Sequence, residues 1–125
     1  MAKRTFRFIE VKTQRTVLQS VEECSTIRAR AIGLLGRVNM KQGEAVWIHP
    51  CSGIHTLGMR FAIDVLFLDR SGKLIKIANS IPPWRIPLPC INAKSVVEMK
   101  AGEADRLRLS QGEQYKFEEI VSSKP

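Results

Sequence analysis

The sequence predicts a mainly β domain at the border of α+β: a small antiparallel β-sandwich or partly closed barrel with one packed helix. Three observations predict it. Seven short segments are rich in β-branched and aromatic residues and are separated by turn residues; one segment carries a helical apolar period; and the alternating strand–helix units of a parallel sheet are missing. At 125 residues with 44% apolar content, the chain suits one domain spanning 1–125 with one hydrophobic core.

Thr5 to Val11 and Thr16 to Glu22 flank the polar connection Lys12 to Arg15 and read as a hairpin. Ser25 is placed to cap a helix whose apolar residues Ile27, Ala31, Leu34 and Leu35 recur at i, i+4, i+7 and i+8, with Gly36 as its stop. Glu44 to His49 alternates as a strand and ends at Pro50, which cannot donate to a central ladder. Asp64 to Leu68 and Lys73 to Ala78 surround Asp69-Arg70-Ser71-Gly72, a strong hairpin signal. Four of the six prolines fall in residues 79–94, so no helix or central strand is expected there and the stretch reads as a long loop of functional character. Lys94 to Lys100 reads as a strand, Gly102 to Leu107 as a short helix and Glu113 to Ile120 as the last strand, with 122–125 a frayed tail.

No stretch approaches the run of about 20 apolar residues that a membrane helix needs. The N-terminus has early positive charge without the apolar core of a signal peptide. Cys24, Cys51 and Cys90 are odd in number and form no C-x-x-C pair, which fits a reducing compartment; the expected location is the cytoplasm. The formal net charge of +8 is uneven: residues 1–41 carry nine Lys or Arg against three acids, and residues 92–125 carry six of each. A solvated basic face accounts for this more readily than an anionic partner, because the cations are scattered singly.

Gly33-Leu34-Leu35-Gly36-Arg37, Ile63-Asp64 through Asp69, Gly72-Lys73, Pro83-Trp84-Arg85, Val96-Val97-Glu98-Met99 and Ala101-Gly102 resemble, in order and spacing, the family called domain of unknown function 192, over roughly residues 20–118. The resemblance implies a compact, mostly β domain and brings no assigned reaction. Members of that family often carry an aromatic-Met-Lys-Asn-Thr segment before Pro-Leu-Asp. Here the chain has His55-Thr56-Leu57-Gly58-Met59 and then Ala62-Ile63-Asp64, so Asp64 carries over and His49, Cys51 and His55 do not.

Both histidines and one cysteine gather in His49-Pro50-Cys51-Ser52-Gly53-Ile54-His55. Two imidazoles and a thiolate suit zinc or copper, so His49, Cys51 and His55 form a candidate metal set with Asp64 as a fourth ligand or orienting group, although the spacing matches no standard zinc module. Cys51 with a histidine also offers a thiolate and base, against which stands the general tendency of cysteine to be buried and inert. Asp64 opens an apolar strand and is expected to accept backbone N–H bonds or to pair with Arg60 or Arg85. Trp84 and Arg85 suit a recognition surface and equally a cover over one end of the core.

The reading that follows is a non-enzymatic binding or accessory domain. Its polar pocket, bordered by His49 to Asp64 and the Pro82 to Cys90 loop, would hold a small ligand or protein segment, with His55, Arg60, Asp64, Trp84 and Arg85 as the candidate residues. No cofactor is required; zinc belongs to the competing reading, a metal-dependent hydrolase using His49, Cys51 and His55. A third reading is nucleic-acid binding through Lys3, Arg4, Arg7, Arg28, Arg30 and Arg37.

Overall fold

A computed structural model describes residues 4–25, 39–54, 56, 59–85 and 88–121. The helix expected after Ser25 and the tail at 122–125 lie outside them. The described strands are β1 (Thr5–Glu10), β2 (Arg15–Cys24), β3 (Ala45–Ile48), β4 (Gly53–Ile54), β5 (Ile63–Leu68), β6 (Leu74–Ile81), β7 (Leu88–Pro89), β8 (Ser95–Lys100) and β9 (Tyr115–Glu119), with one described helix, α1 (Glu103–Arg106). Seven strands form one sheet in the order β6-β5-β8-β3-β2-β1-β9, curled into a half-barrel. These seven are the ones the sequence pattern predicts. The two-residue strands β4 and β7 pair separately, within segments that the sequence marks as loops.

The sheet departs from pure antiparallel pairing at one place, because β2 and β3 run parallel, with Val21 opposite Ala45 and Cys24 opposite Ile48. Parallel neighbours need a crossover, and residues 25–44 are long enough to supply it. The curl closes at one corner: Lys73 bridges Gln114, the Leu74 N–H donates to the Glu113 carbonyl at 3.0 Å, and the Tyr115 N–H donates to the Gly72 carbonyl at 3.0 Å. Gly72 sits there with φ +92°, and a Cβ on it would collide with the Tyr115 carbonyl. Gly72→Ala therefore combines left-handed strain with a backbone clash and is expected to cost at least about 2 kcal/mol in urea unfolding. A loss under 0.5 kcal/mol would contradict this account of the closure.

Two apolar clusters lie on opposite faces of the sheet. Phe8, Leu18, Val21, Leu66, Leu74, Val97 and Tyr115 fill the concave side, joined by Ala104, Leu107 and Leu109 at and after α1. Contributions from β6 and β9, the two ends of the sheet, identify this side as the interior. Val46, Ile48, Val65, Phe67 and Val96 point the other way, beneath Met40, Ile54, Met59 and Ala93 from the loops. β5 is buried at all six positions, which is why its sequence reads as a continuous apolar run broken by one acid. No described helix is long and apolar enough to cross a membrane.

Candidate ligand pocket at the mouth of the half-barrel

Of the residues singled out in the sequence, His49 and Asp64 lie at different ends of the sheet. Asp64, the second residue of β5, is fully buried; its Oδ2 accepts the N–H groups of Gly102 (3.0 Å) and Ala104 (2.9 Å), and its Oδ1 accepts that of Ser80 (2.7 Å). The carboxylate thus ties the start of α1 and the end of β6 to β5. Sheet register puts Asp64 in the row of Met99 and Ala45, whereas His49 follows the last residue of β3 at the other end. The two are roughly 13 Å apart along the strands at about 3.3 Å per residue.

His55 lies outside the described residues. The Cys51 thiol donates to the Gly53 carbonyl at 2.8 Å, and His49 is engaged by Glu23, as set out below. Among the described residues no group of three His, Cys, Asp or Glu stands close enough to hold a metal ion. Arg60 and Arg85 are exposed, and Trp84 is 70% exposed and belongs to neither apolar cluster. The two segments expected to border the pocket do meet. The buried Thr56 hydroxyl donates to the Pro82 carbonyl and accepts the Arg85 N–H, the Trp84 N–H donates to the Thr56 carbonyl, and β4 pairs with β7. Of the described basic residues near the N-terminus, Arg4 pairs with Glu119 and Glu23, and Arg7 with Glu118.

A cavity of about 490 Å³ opens at the end of the half-barrel where β3 and β5 finish and β8 begins. Its walls come from four separate places: Trp47 and His49 on β3 and just after it, the hairpin turn 69–72, Lys94-Ser95, and Tyr115 to Phe117 on β9. Residues two apart on a strand share a face, so Trp47 with His49, and Tyr115 with Phe117, all project to this side. Phe117 and His49 stack on Trp47 with centroid distances of 3.7 Å and 4.0 Å. Two rings that close to one indole must occupy its opposite faces, so Trp47 is sandwiched. Phe6 meets its edge at 5.1 Å, and Phe8 stacks on Tyr115 at 4.8 Å. Each such pair adds about 0.5–1.5 kcal/mol beyond simple burial, which makes the wall stiff. The Trp47 Nε1–H is buried without a hydrogen-bond partner.

The charged groups around the cavity are arranged unevenly. His49 Nε2 lies 2.6 Å from Glu23 Oε2; since a carboxylate can only accept, Nε2 carries the proton and the ring plane is held. Glu23 is almost buried and is also 3.5 Å from the Arg4 guanidinium. The Asp69 Oδ1 accepts the Ser71 hydroxyl and the N–H groups of Ser71 and Lys73. Burial pushes the Asp69 carboxyl up, but these bonds together with the Gly72 N–H outweigh it and hold the group below the usual carboxylate range. Both acids are therefore committed to protein partners. Arg70 and Lys94 are exposed at the rim and form no ion pair among the described residues; Lys116 is exposed too, on the other face of β9. Burial also pushes the Tyr115 phenol up, so it stays neutral as part of the wall.

Of this wall, sequence reasoning had found only His49. The signals for the rest were the Trp47/His49 and Tyr115/Phe117 spacings, each an aromatic pair on one strand face, but nothing local says that β3 and β9 come together.

A single curled sheet of seven strands, with one apolar cluster inside and a second under loops, defines the class: a small, mostly β domain with a cavity at one end. The chain belongs to the domain of unknown function 192 family, described as "Uncharacterized ACR", whose profile matches residues 9–117. A UPF0127 protein of Pyrococcus furiosus is 30% identical over 70 residues, covering 56% of this chain and 60% of that protein. One from Pyrococcus horikoshii is 28% identical over 93 residues, covering 70% and 78%. The chain thus spans about 60% of the length of the first relative. A solved Sinorhizobium meliloti structure, of a protein described as a candidate transcription regulator, superposes with a TM-score of 0.79 at 23% identity, over 93% of this chain and 94% of that one. Likeness at that identity is a likeness of fold.

Proposed function

We propose that this protein is a non-enzymatic binding domain whose site is the cavity at the mouth of the half-barrel. The observation that carries the reading is the cavity itself: about 490 Å³, walled by the Phe117–Trp47–His49 stack and rimmed by polar groups. That size and mixed lining are those of small-molecule sites, which favour the mouths of β-barrels. The Ser71 hydroxyl donates to Asp69, so it is not activated by His49 as a nucleophile. A cytoplasmic setting fits the odd cysteine count.

The test is a fragment screen followed by backbone amide NMR on the unaltered chain, with Trp47 emission read in a Trp84→Phe variant that leaves Trp47 as its one tryptophan. Aromatic fragments at millimolar concentration are expected to shift the amides of residues 47–49, 70–72, 94–95 and 115–117 and to change Trp47 emission. Hits that cluster instead around Arg60, Trp84 and Arg85 would move the site to the surface that the sequence first indicated. An absence of hits at either place would end the binding reading.

A further inference from the structure

We infer that the ligand class of this pocket is a planar aromatic ring bearing an anionic group, a phosphate or a carboxylate; this rests on the binding reading above. Three observations converge on it.

The first is the shape of the wall. Trp47, between Phe117 and His49, is already covered on both faces, so the stack presents the outer imidazole as its end plate, and the His49 side chain is 29% exposed. The His49 ring is held by Glu23 at 2.6 Å and by its contact with Trp47 at 4.0 Å. A flat ring can extend such a stack at little entropic cost, because the plate is ordered before the ligand arrives.

The second is the charge at the rim. Arg70 and Lys94 come from two different elements and border one cavity, while the nearby acids are turned to other work: Asp69 to its own hairpin turn, and Glu23, behind His49, to that ring and to Arg4. What remains for a ligand is positive. Arg70 offers the planar fork that matches phosphate and carboxylate oxygens, and Lys94 acts as a point charge.

The third is the placement of one relative to the other. Lys94 precedes Ser95 opposite the end of β3 and Arg70 lies in the hairpin turn at the same opening, so these two cations stand beside the aromatic plate, while Lys116, between Tyr115 and Phe117, alternates to the other face of β9. A neutral aromatic would leave them unused, and a bare anion would leave the plate unused.

The experiment uses the full chain carrying Trp84→Phe, at low salt, and follows Trp47 emission and amide shifts. The probes are adenosine 5′-monophosphate against adenosine, indole-3-carboxylate against indole, and inorganic phosphate alone. At least one charged aromatic is expected to bind about tenfold or more tightly than its neutral partner. Half a molar salt should weaken it several-fold, and inorganic phosphate should leave the pocket amides unmoved. If adenosine 5′-monophosphate binds and indole-3-carboxylate does not, the anion is a phosphate; the reverse makes it a carboxylate. Arg70→Gln and Lys94→Gln, both exposed and outside the core, should each weaken the charged probe two- to fivefold without changing the melting temperature, whereas Lys116→Gln, on the other face of β9, should leave binding within twofold. Equal binding of charged and neutral probes would overturn the anionic class while leaving the pocket standing. Phosphate binding as well as the nucleotide would overturn the aromatic requirement. Failure of every probe, where fragments still bind in the cavity, would overturn this inference alone; failure of both would remove the binding reading with it.

Discussion

Asp64→Asn is expected to destabilise the fold by about 3–5 kcal/mol, measured as the shift in the urea midpoint at unchanged slope. The wild-type carboxylate accepts three N–H groups, from Ser80, Gly102 and Ala104, at a site with no solvent exposure. A charge-assisted hydrogen bond contributes about 1.5–3 kcal/mol, and an abandoned buried donor costs about 1–3 kcal/mol more. Asparagine keeps the size but has a single acceptor oxygen, and it turns an NH2 group toward N–H donors. At least one backbone group on the α1 or β6 side loses its partner. A loss below 1 kcal/mol would show that water or a shift of α1 replaces the carboxylate, and Asp64 would no longer be the tie between the sheet and α1. Pocket binding should survive the substitution wherever the protein remains folded, because Asp64 lies at the opposite end of the sheet from His49.

Glu98→Gln should do the reverse and stabilise the protein at neutral and alkaline pH. Glu98 lies in the middle of β8, facing the second apolar cluster between Val46 and Val65, with only 5% of its surface exposed. Burial pushes its carboxyl from 4.5 up to about 7. A group whose folded-state pKa is raised binds its proton more tightly in the native state, so the native form is favoured at low pH. That contribution is fully present below about pH 4.5 and is lost as pH rises through about 7. The shift corresponds to about 3 kcal/mol at 1.36 kcal/mol per unit. Acids such as Asp69 and Glu103, which hydrogen bonds hold below the usual range, contribute with the opposite slope, so the informative quantity is the difference between wild type and Glu98→Gln. That difference is expected to be small near pH 4.5 and to grow in favour of the variant up to about pH 8. A difference that stays constant over this range would mean that the Glu98 carboxyl is solvated in both states.

Much of the architecture was legible in the chain because it is written locally. Alternating β-branched residues, the turn Asp69 to Gly72 and the prolines after residue 81 place seven strands and an irregular loop without knowledge of any partner. Asp64 was legible too, in kind: an acid at the head of an apolar strand must find donors. Which donors was not legible, since Gly102 and Ala104 are 38 and 40 positions away. β4 and β7 were invisible because two residues carry no period. The burial of Glu98 was not legible either, because Met40, Met59 and Ile54, which cover that side of β8, come from distant segments.

Local chemistry along the chain settled the seven strands of the main sheet, the turns, the family and the need to satisfy Asp64. The long-range closure settled where a ligand would fit. His49 was expected to converge with Cys51, His55 and Asp64; it stands at the opposite end of the sheet from Asp64 and stacks on Trp47, whose other face Phe117 covers, because β2 and β3 pair in parallel and the sheet curls until Gly72 meets Tyr115. Side-chain alternation tells each strand which residues share a face, but the curvature that makes two such faces confront each other is a property of the whole sheet and leaves no mark on any one segment.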